Sequence, residues 1–499
     1  LEATGTGNTI TDPAGVTGAG GIATGTIAST VAETKTVRAL VGGTQIVDTL
    51  VVDWDPGPVD LDLSTIDADP DTVTANGIAQ SDITVTVTDS QGNPVEGAVV
   101  LLQSTGTGNT ITQPVGVTGP AGSAIGSIAS TDAESKTVSA TINGSALTPT
   151  ADVVFRTGAF STTLSEISGD KSTVTADGAD LLTVTVTVRD GAGNPVEGAA
   201  VALDVTGTGN SVNDPVGLTG ADGIAIGTVS SIVAETKTVR ALVGGTQIVD
   251  TLVVDWVPGP VDLANSLIVS DRDTVTADGS DVCRITVTAL DAFDNPVSGA
   301  SVALQATDTG GGNTIFQPAS ETDESGIAIG WINSTYAEVK TVSATINSIS
   351  MLAVYDVAFI AGQPDRFVIT HDGAGVAGGA EDVTVEIYDA NDNIVDWFDD
   401  VIRVHTDSPE TEDLIDWALG GGAAGSIVGE SADTVSYDFS PGDGGSVTLR
   451  FRDERAETIR FIARYGSVSD QSAMSMVIDH ASADAIAVLA GDGQRAVVG

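Results

Sequence analysis

One stretch of about twenty residues returns at a fixed interval, and that interval fixes what this chain can be. DSQGNPVEGAVVLLQSTGTGN at Asp89–Asn109 comes back as DGAGNPVEGAAVALDVTGTGN at Asp190–Asn210 and as DAFDNPVSGASVALQATDTGGGN at Asp291–Asn313. The copies start 101 residues apart (190 − 89 and 291 − 190). A period that long is a whole domain, so the chain is an array of homologous modules.

Each module reads as all-β. In the second copy DITVTVT (Asp82–Thr88) alternates strictly, which puts Ile83, Val85 and Val87 on one face and Thr84, Thr86 and Thr88 on the other. The turn QGNP follows, with Gly and Asn suited to positive φ and Pro fixing the exit. A more apolar strand over Val95–Leu102 ends at TGTGN, and one or two strands surround a Gly/Pro loop after it. KTVSATING (Lys136–Gly144) alternates again, and ADVVF closes the module. About seven strands in roughly 100 residues, punctuated by turns, predict a Greek-key sandwich of immunoglobulin type. The Cys…Trp…Cys pattern of antibody domains is absent.

A Thr/Val strand, then D-x-x-G-N-P-V-x-G-A, a T-G-x-G-N turn and a late K-T-V-x-A strand together resemble the bacterial immunoglobulin-like domain of intimins and invasins. The resemblance implies rigid extracellular tandem rods on bacterial surfaces, projecting an adhesive or structural element. It covers four copies: a partial one at 1–58, then 59–158, 159–258 and 259–361. LEATGTGN at Leu1–Asn8 aligns with LQSTGTGN at Leu102–Asn109, so the first copy starts inside a module. Residues 362–483 keep the strand alternation (DVTVEIYD, SVTLRFRD) as a divergent sandwich, with an insertion around Ser408–Gly425 and all three histidines. Residues 484–499 read as the first strand of a further module. Truncation of a longer protein is the expectation for both ends. A tail that completes a neighbour's half-domain by strand donation is the alternative.

A longer period overlies the first. Val31–Trp54 is identical to Val233–Trp256, two modules on, and PGPVDL follows only the first and third copies. The array is therefore a duplicated two-domain unit with short linkers, some stiffened by Pro, which predicts a semi-rigid rod. Modules of about 35–40 Å give a rod of order 200 Å.

Composition narrows the function classes. The chain carries 68 acidic against 19 basic residues, a net charge of −49. Such a surface repels nucleic acid and anionic membranes. No apolar run is long enough to span a bilayer. A single cysteine, Cys283, excludes an intrachain disulfide framework. It sits on the inward parity of its strand, as a small buried hydrophobe would.

Candidate sites are few. DANDN at Asp389–Asn393 matches the D-x-N-D-N calcium motif of cadherin linkers, yet it occupies the place of DSQGN, where a turn built from αL-tolerant Asn and Asp is the preferred reading. Asp67, Asp69 and Asp71, and Asp271 with Asp273, are alternating carboxylates near junctions that could hold calcium through oxygen ligands. With Asp389 and Asp392 they make calcium the one cofactor to consider, none being required. Arg450, Arg452, Arg455, Arg460 and Arg464 concentrate basic charge in one stretch. They read either as a contact surface for an acidic rod or glycan, or as a sheet face balanced by Asp453, Glu454 and Glu457. His371, His405 and His480 have no metal-ligand spacing, and no strand–elbow–helix context exists for a nucleophile. Asn143-Gly-Ser and Asn333-Ser-Thr match the glycosylation tripeptide. The chain is thus expected to be a non-enzymatic segment of an extracellular fibre. Its expected partners are copies of itself, a host surface or a glycan. The first reading is a spacer and assembly rod; the alternative is an adhesin stalk whose ligand is held by the divergent fifth domain or an absent tip. On either reading the recurrent D-x-x-G-N-P turn is a strand connection, and function is sought at the junctions and in the fifth domain.

Overall fold

The computed structural model describes residues 1–408, 415–431 and 433–482. Among these, regular structure is β-strand apart from one 3-10 turn at Pro441–Asp443. Among the described residues no helix is long and apolar enough to cross a membrane. The chain divides into two compact units, Leu1–Val257 and the part that begins at Pro258. The expected strand at 484–499 and part of the expected insertion, residues 409–414, lie outside the described residues.

In the first unit the second module is a two-layer sandwich. One sheet runs Asn109–Thr112, Ser123–Ser130, Ser81–Asp89, Val59–Asp69. The facing sheet contains Val100–Ser104, Ser135–Ile142, Ala151–Arg156 and Thr72–Thr74. The threonine–valine alternation does what its period dictates. Ile83, Val85 and Val87 are completely buried, and they meet Val138, Ala140 and Ile142 of the opposite layer in one core. Thr72–Thr74 pairs parallel with Ala151–Arg156, placing Val73 beside Phe155 at the module's end. The third module repeats the arrangement around Val184, Val186, Val239 and Trp256.

The partial first copy supplies an internal control. Ile46 and Ile248 occupy equivalent places in identical stretches, yet Ile46 is 44% exposed and Ile248 1%. The difference lies in what faces them: the third module brings the sheet containing Leu182–Thr187 over Ile248, and the first has only Asn8–Thr11 and Thr26–Ser29 opposite. Burial here is a property of the pair of sheets, not of the strand.

In the second unit the fourth module has the same topology, with Cys283, Ile285 and Val287 completely buried. Cys283 lies 2.8 Å from Ser270 Oγ, and burial pushes its thiol pKa up. The fifth domain keeps a four-stranded sheet (Arg366–Thr370, Ala380–Tyr388, Ser446–Asp453, Ile415–Leu419). Opposite it stand a three-stranded sheet and a five-stranded one in the order Ser426–Ser431, Thr434–Asp438, Val401–Thr406, Phe461–Tyr465, Val468–Gln471. Its core is aromatic: Phe398, Phe439, Phe451 and Phe461 with Trp417 and Tyr437, packed largely edge to face at 4.9–5.4 Å for Phe451–Phe461 and Phe398–Phe439.

Candidate functional site: the junction turns

The recurrent Asp-x-x-x-Asn turn closes on itself first. Asp89 Oδ1 accepts from the backbone N–H of Gln91 (2.9 Å) and Asn93 (2.8 Å), and Gly92 donates to Asp89 O (3.0 Å). This geometry sets the fourth position in the left-handed region: φ is 82° at Gly92 and 91° at Gly193. In the two later copies an aspartate takes that place, Asp294 at 64° and Asp392 at 67°, because Asp and Asn tolerate the conformation best after Gly. The calcium-like spelling DANDN therefore arises from a turn position that glycine fills elsewhere.

The turn then reaches beyond its own loop. Asp89 Oδ2 accepts from Gly57 N (2.8 Å) in the Pro56–Gly57–Pro58 linker that enters the module. Asp190 holds Gly158 N, Asp291 holds Gly259 N and Asp389 holds Gly362 N, at 2.9, 2.9 and 2.8 Å. The asparagine grips the preceding module. Asn93 Oδ1 accepts from Ala32 N (2.9 Å), and its Nδ2 donates to Thr30 O (3.0 Å). Asn194 does the same with Ala133 N (2.9 Å) and Thr131 O (2.8 Å), and Asn393 with Ala337 N (2.7 Å) and Thr335 O (2.9 Å). One amide side chain thus satisfies a donor and an acceptor two residues apart on its neighbour, as a strand partner would. The Asp carboxylate and Asn amide also bond each other, at 2.8 Å between Asp89 and Asn93.

The gripped loop is itself stiff. Lys35, Lys136, Lys237 and Lys340 are fully buried. Lys136 Nζ donates to Glu134 (2.6 Å) and to Thr107 O (2.6 Å), and lies 5.9 Å from the Phe155 ring. Lys35 and Lys237 repeat the bonds with Glu33 and Thr6 O, and with Glu235 and Thr208 O. This explains the T-G-x-G-N string. A Cβ at Gly106, whose φ is 77°, would fall 2.2 Å from Glu134 Oε1 and 2.9 Å from Lys136 Nζ. The turn, the lysine and the grip on the next module form one network, which the separate motifs did not announce.

Its electrostatics favour permanent ionisation. Burial pushes the Asp89 carboxyl up, but hydrogen bonds from the Asn93 amide and from the Gly57, Asn93 and Gln91 N–H groups outweigh it and hold the pKa at about 2. Asp190, Asp291 and Asp389 are lowered by the same balance of burial against linker and turn donors.

The sequence candidates are distributed differently from the expectation. Both oxygens of Asp389 are taken by amide donors, and Asp392 pairs with Arg366 at 2.5 Å, so the two make no cation cage. Asp67, Asp69 and Asp71 are exposed along and after Val59–Asp69. Asp271 accepts from Arg284 N (3.0 Å), and Asp273 from the Tyr355 hydroxyl. Among the described residues no three His, Cys, Asp or Glu side chains stand together as a metal site. The five arginines do not form one patch. Arg450 and Arg452 face outward from the four-stranded sheet and pair with Asp382 (2.8 Å) and Glu454 (2.8 Å). Arg464 and the exposed Arg460 belong to the other sheet layer, and Arg455 N caps the buried Asp453. His371 packs on the buried Phe461 at 5.4 Å, whereas His405, on the strand paired with Phe461–Tyr465, takes the outward parity. Asn143 and Asn333 accept from Val99 N and donate to Gly279 O, respectively. Sequence reading missed one feature altogether: a cleft of about 560 Å³ beside the turn of Asp389, lined by Asp278, Gln363, Asp365, Asn391 and the 36%-exposed Trp397. Only the clustering of a tryptophan with the turn, DANDNIVDW, hinted at it.

Successive two-sheet sandwiches on a 101-residue period (190 − 89), each docked by the same turn wherever the junction lies within one unit, define an array of immunoglobulin-like repeats. The chain belongs to the bacterial Ig-like domain (group 1) family, whose pattern it matches over residues 63–155, 164–256 and 265–360. It is similar to the inverse autotransporter adhesin YeeJ of Escherichia coli (strain K12), with 30% identity over 218 residues; that match takes in 43% of this chain and 9% of that protein's length. Among solved structures it is similar to the Escherichia coli adhesin FdeC (22% identity, 62% of this chain, 100% of that one, TM-score 0.40). InvD of Yersinia pseudotuberculosis is another (17%, 64%, 98%, TM-score 0.40). The chain is a bacterial surface or extracellular protein built from this family's tandem repeats.

Proposed function

We propose that this chain is an oriented spacer, a rod segment of a bacterial surface fibre in which, within each compact unit, the Asp-x-x-x-Asn turns fix one module against the one before it. One observation carries the reading. At every junction within a unit a single asparagine side chain bonds both a carbonyl and an N–H of the preceding module, while its aspartate holds the linker. The work is mechanical: cores fold each module, turns transmit direction, and repetition sets reach. Lateral contacts between copies would assemble rods into fibres.

The test compares the chain with a variant carrying Asn93→Ala, Asn194→Ala and Asn393→Ala by small-angle scattering. The parent should be an extended particle of order 200 Å, from strands of about 3.3 Å per residue in end-to-end modules. The variant should keep its circular dichroism while its distance distribution broadens and its maximum dimension falls. Each lost junction hydrogen-bond pair is worth about 1–3 kcal/mol. A compact parent, or a variant with an unchanged profile, sinks the proposal.

The second reading is an adhesin stalk with ligand contact made by the fifth domain. The adhesins named among its relatives suggest it, and the Trp397 cleft favours that domain, because an exposed tryptophan among polar side chains is the common platform of a binding site. Mutating Trp397→Ala and assaying attachment to host cells tests it: retained attachment excludes the cleft.

A further inference from the structure

The chain has more than three acidic residues for every basic one (68 against 19), so any arginine without a carboxylate partner is conspicuous. In the fifth domain Arg403, on Val401–Thr406, lies directly opposite Arg464, on Phe461–Tyr465. Both are exposed and face outward, since the next pair in register, Val404 and Ala463, is completely buried. Like charges on directly opposed antiparallel residues repel. Elsewhere on this domain Arg450 is matched with Asp382, Arg452 with Glu454 and Arg366 with Asp392, while Arg460 donates to the Ser475 hydroxyl. Among the described residues neither Arg403 nor Arg464 has a carboxylate within ion-pair distance.

The register sets what flanks the pair. Ser436 pairs with Arg403 on one side, and Ser469 pairs with Arg464 on the other. The row across four strands is therefore Ser436, Arg403, Arg464, Ser469. The next outward row on the same strands carries Thr434, His405, Ile462 and Gln471. At about 4.8 Å between strands the hydroxyl-to-hydroxyl row spans roughly 14 Å. Two planar guanidinium groups on directly opposed residues can clamp one oxyanion with several N–H donors. Hydroxyls of Ser436, Ser469 and Thr434 and the Gln471 amide, which suit sugar hydroxyls, share the face with His405 and Ile462, and with Val401 and Asp438 on the other side of Arg403. The buried aromatic anchor on which a protein interface relies is missing from these two rows.

We propose that this sheet face binds an anionic polysaccharide, with one sulfate or carboxylate held between Arg403 and Arg464 and neighbouring sugar hydroxyls on Ser436, Ser469 and Gln471. The proposal rests on the reading that the fifth domain makes the contact, but it names a different surface from the Trp397 cleft, and the scattering test of the rod is independent of it.

The experiment is biolayer interferometry of the whole chain over immobilised heparin, hyaluronate and dextran at low salt. Binding to heparin alone assigns sulfate, binding to hyaluronate as well assigns any oxyanion, and dextran should give none. R403Q/R464Q should weaken binding at least tenfold with an unchanged or slightly higher melting temperature, because it relieves a repulsion. R450Q, which disturbs a matched pair, should leave binding intact. Absence of binding to both anionic polymers overturns the proposal, as does equal loss in R450Q or retained binding in R403Q/R464Q. Concentration-dependent self-association of the parent that R403Q/R464Q abolishes, with no polysaccharide binding, also overturns it and assigns the face to the acidic surface of a second copy.

Discussion

The repeated modules and the fifth domain solve the same problem with different materials. The second, third and fourth modules have aliphatic cores with an aromatic at the closing strand: Phe155, Trp256, Phe359. They add a fully buried lysine tied to a glycine-rich turn. The fifth domain has neither the lysine nor the T-G-x-G-N turn, and fills its interior with seven buried aromatic rings instead. What both kinds retain is the Asp-x-x-x-Asn turn. The shared element is thus the one that touches the preceding module, and the variable element is the means of filling a core. Cores are interchangeable as long as volume and pattern are met; a docking geometry is not.

The comparison breaks most visibly through the aromatic core. Phe451→Ala deletes a ring that contacts both Trp417 and Phe461 and should destabilise the fifth domain by about 3–5 kcal/mol. Calorimetry should show one transition moving far down while the transitions of the repeated modules stay in place. A common shift of all transitions would mean that the two kinds of domain do not fold separately. The matching blow to a repeated module is smaller and falls on a surface turn. Gly106→Ala places a side chain at positive φ and against Glu134, which should weaken the second module by about 1–3 kcal/mol, read as a selective shift of its transition. If that variant melts like the parent, the buried lysine network contributes little, and the repeats are held by their valines alone.

Much of this was legible in the letters. Strict alternation in DITVTVT put Ile83, Val85 and Val87 inward because a strand has period two and one face must be covered. The repeat itself fixed the sandwich. The role of the turn was only half legible: recurrence marked Asp89–Asn93 as a strand connection, which it is, but the partners of Asn93 are backbone groups of Thr30 and Ala32, and backbone groups leave no trace in composition. The arginines were only half legible for a related reason. Arg450 to Arg464 are neighbours in sequence, yet a sandwich sends consecutive strands to different sheets, so proximity along the chain separated them in space. The unmatched pair uses Arg403, sixty-one positions from Arg464 (464 − 403), and only strand register reveals it.

The smallest expected effect is defined by its sign. Asp89 has a folded pKa of about 2, below the unfolded value of about 3.9. Its contribution to junction stability is therefore complete above about pH 4 and is lost as the pH falls through about 2. Asp190 and Asp389 are lowered in the same way. Glu457 of the fifth domain runs in the opposite direction. Burial pushes its carboxyl up, the Asp453 carboxylate adds to that, and hydrogen bonds from Ser408 only partly offset it. A raised carboxyl contributes stability that is present below the unfolded value and fades as the pH rises through the folded one. Moving from pH 7 to pH 5 should thus leave the repeated modules and their junctions unchanged and, through Glu457, make the fifth domain slightly more stable. Calorimetry of the parent and of Glu457→Gln across this range checks it, since the variant should lose the rise. Scattering should then show the junctions loosening only below about pH 4, in the range where the clasp carboxylates take up protons. Junctions that loosen already at pH 5 would place the docking energy outside the aspartates, and the contrast between a shared turn and interchangeable cores would have to be drawn elsewhere.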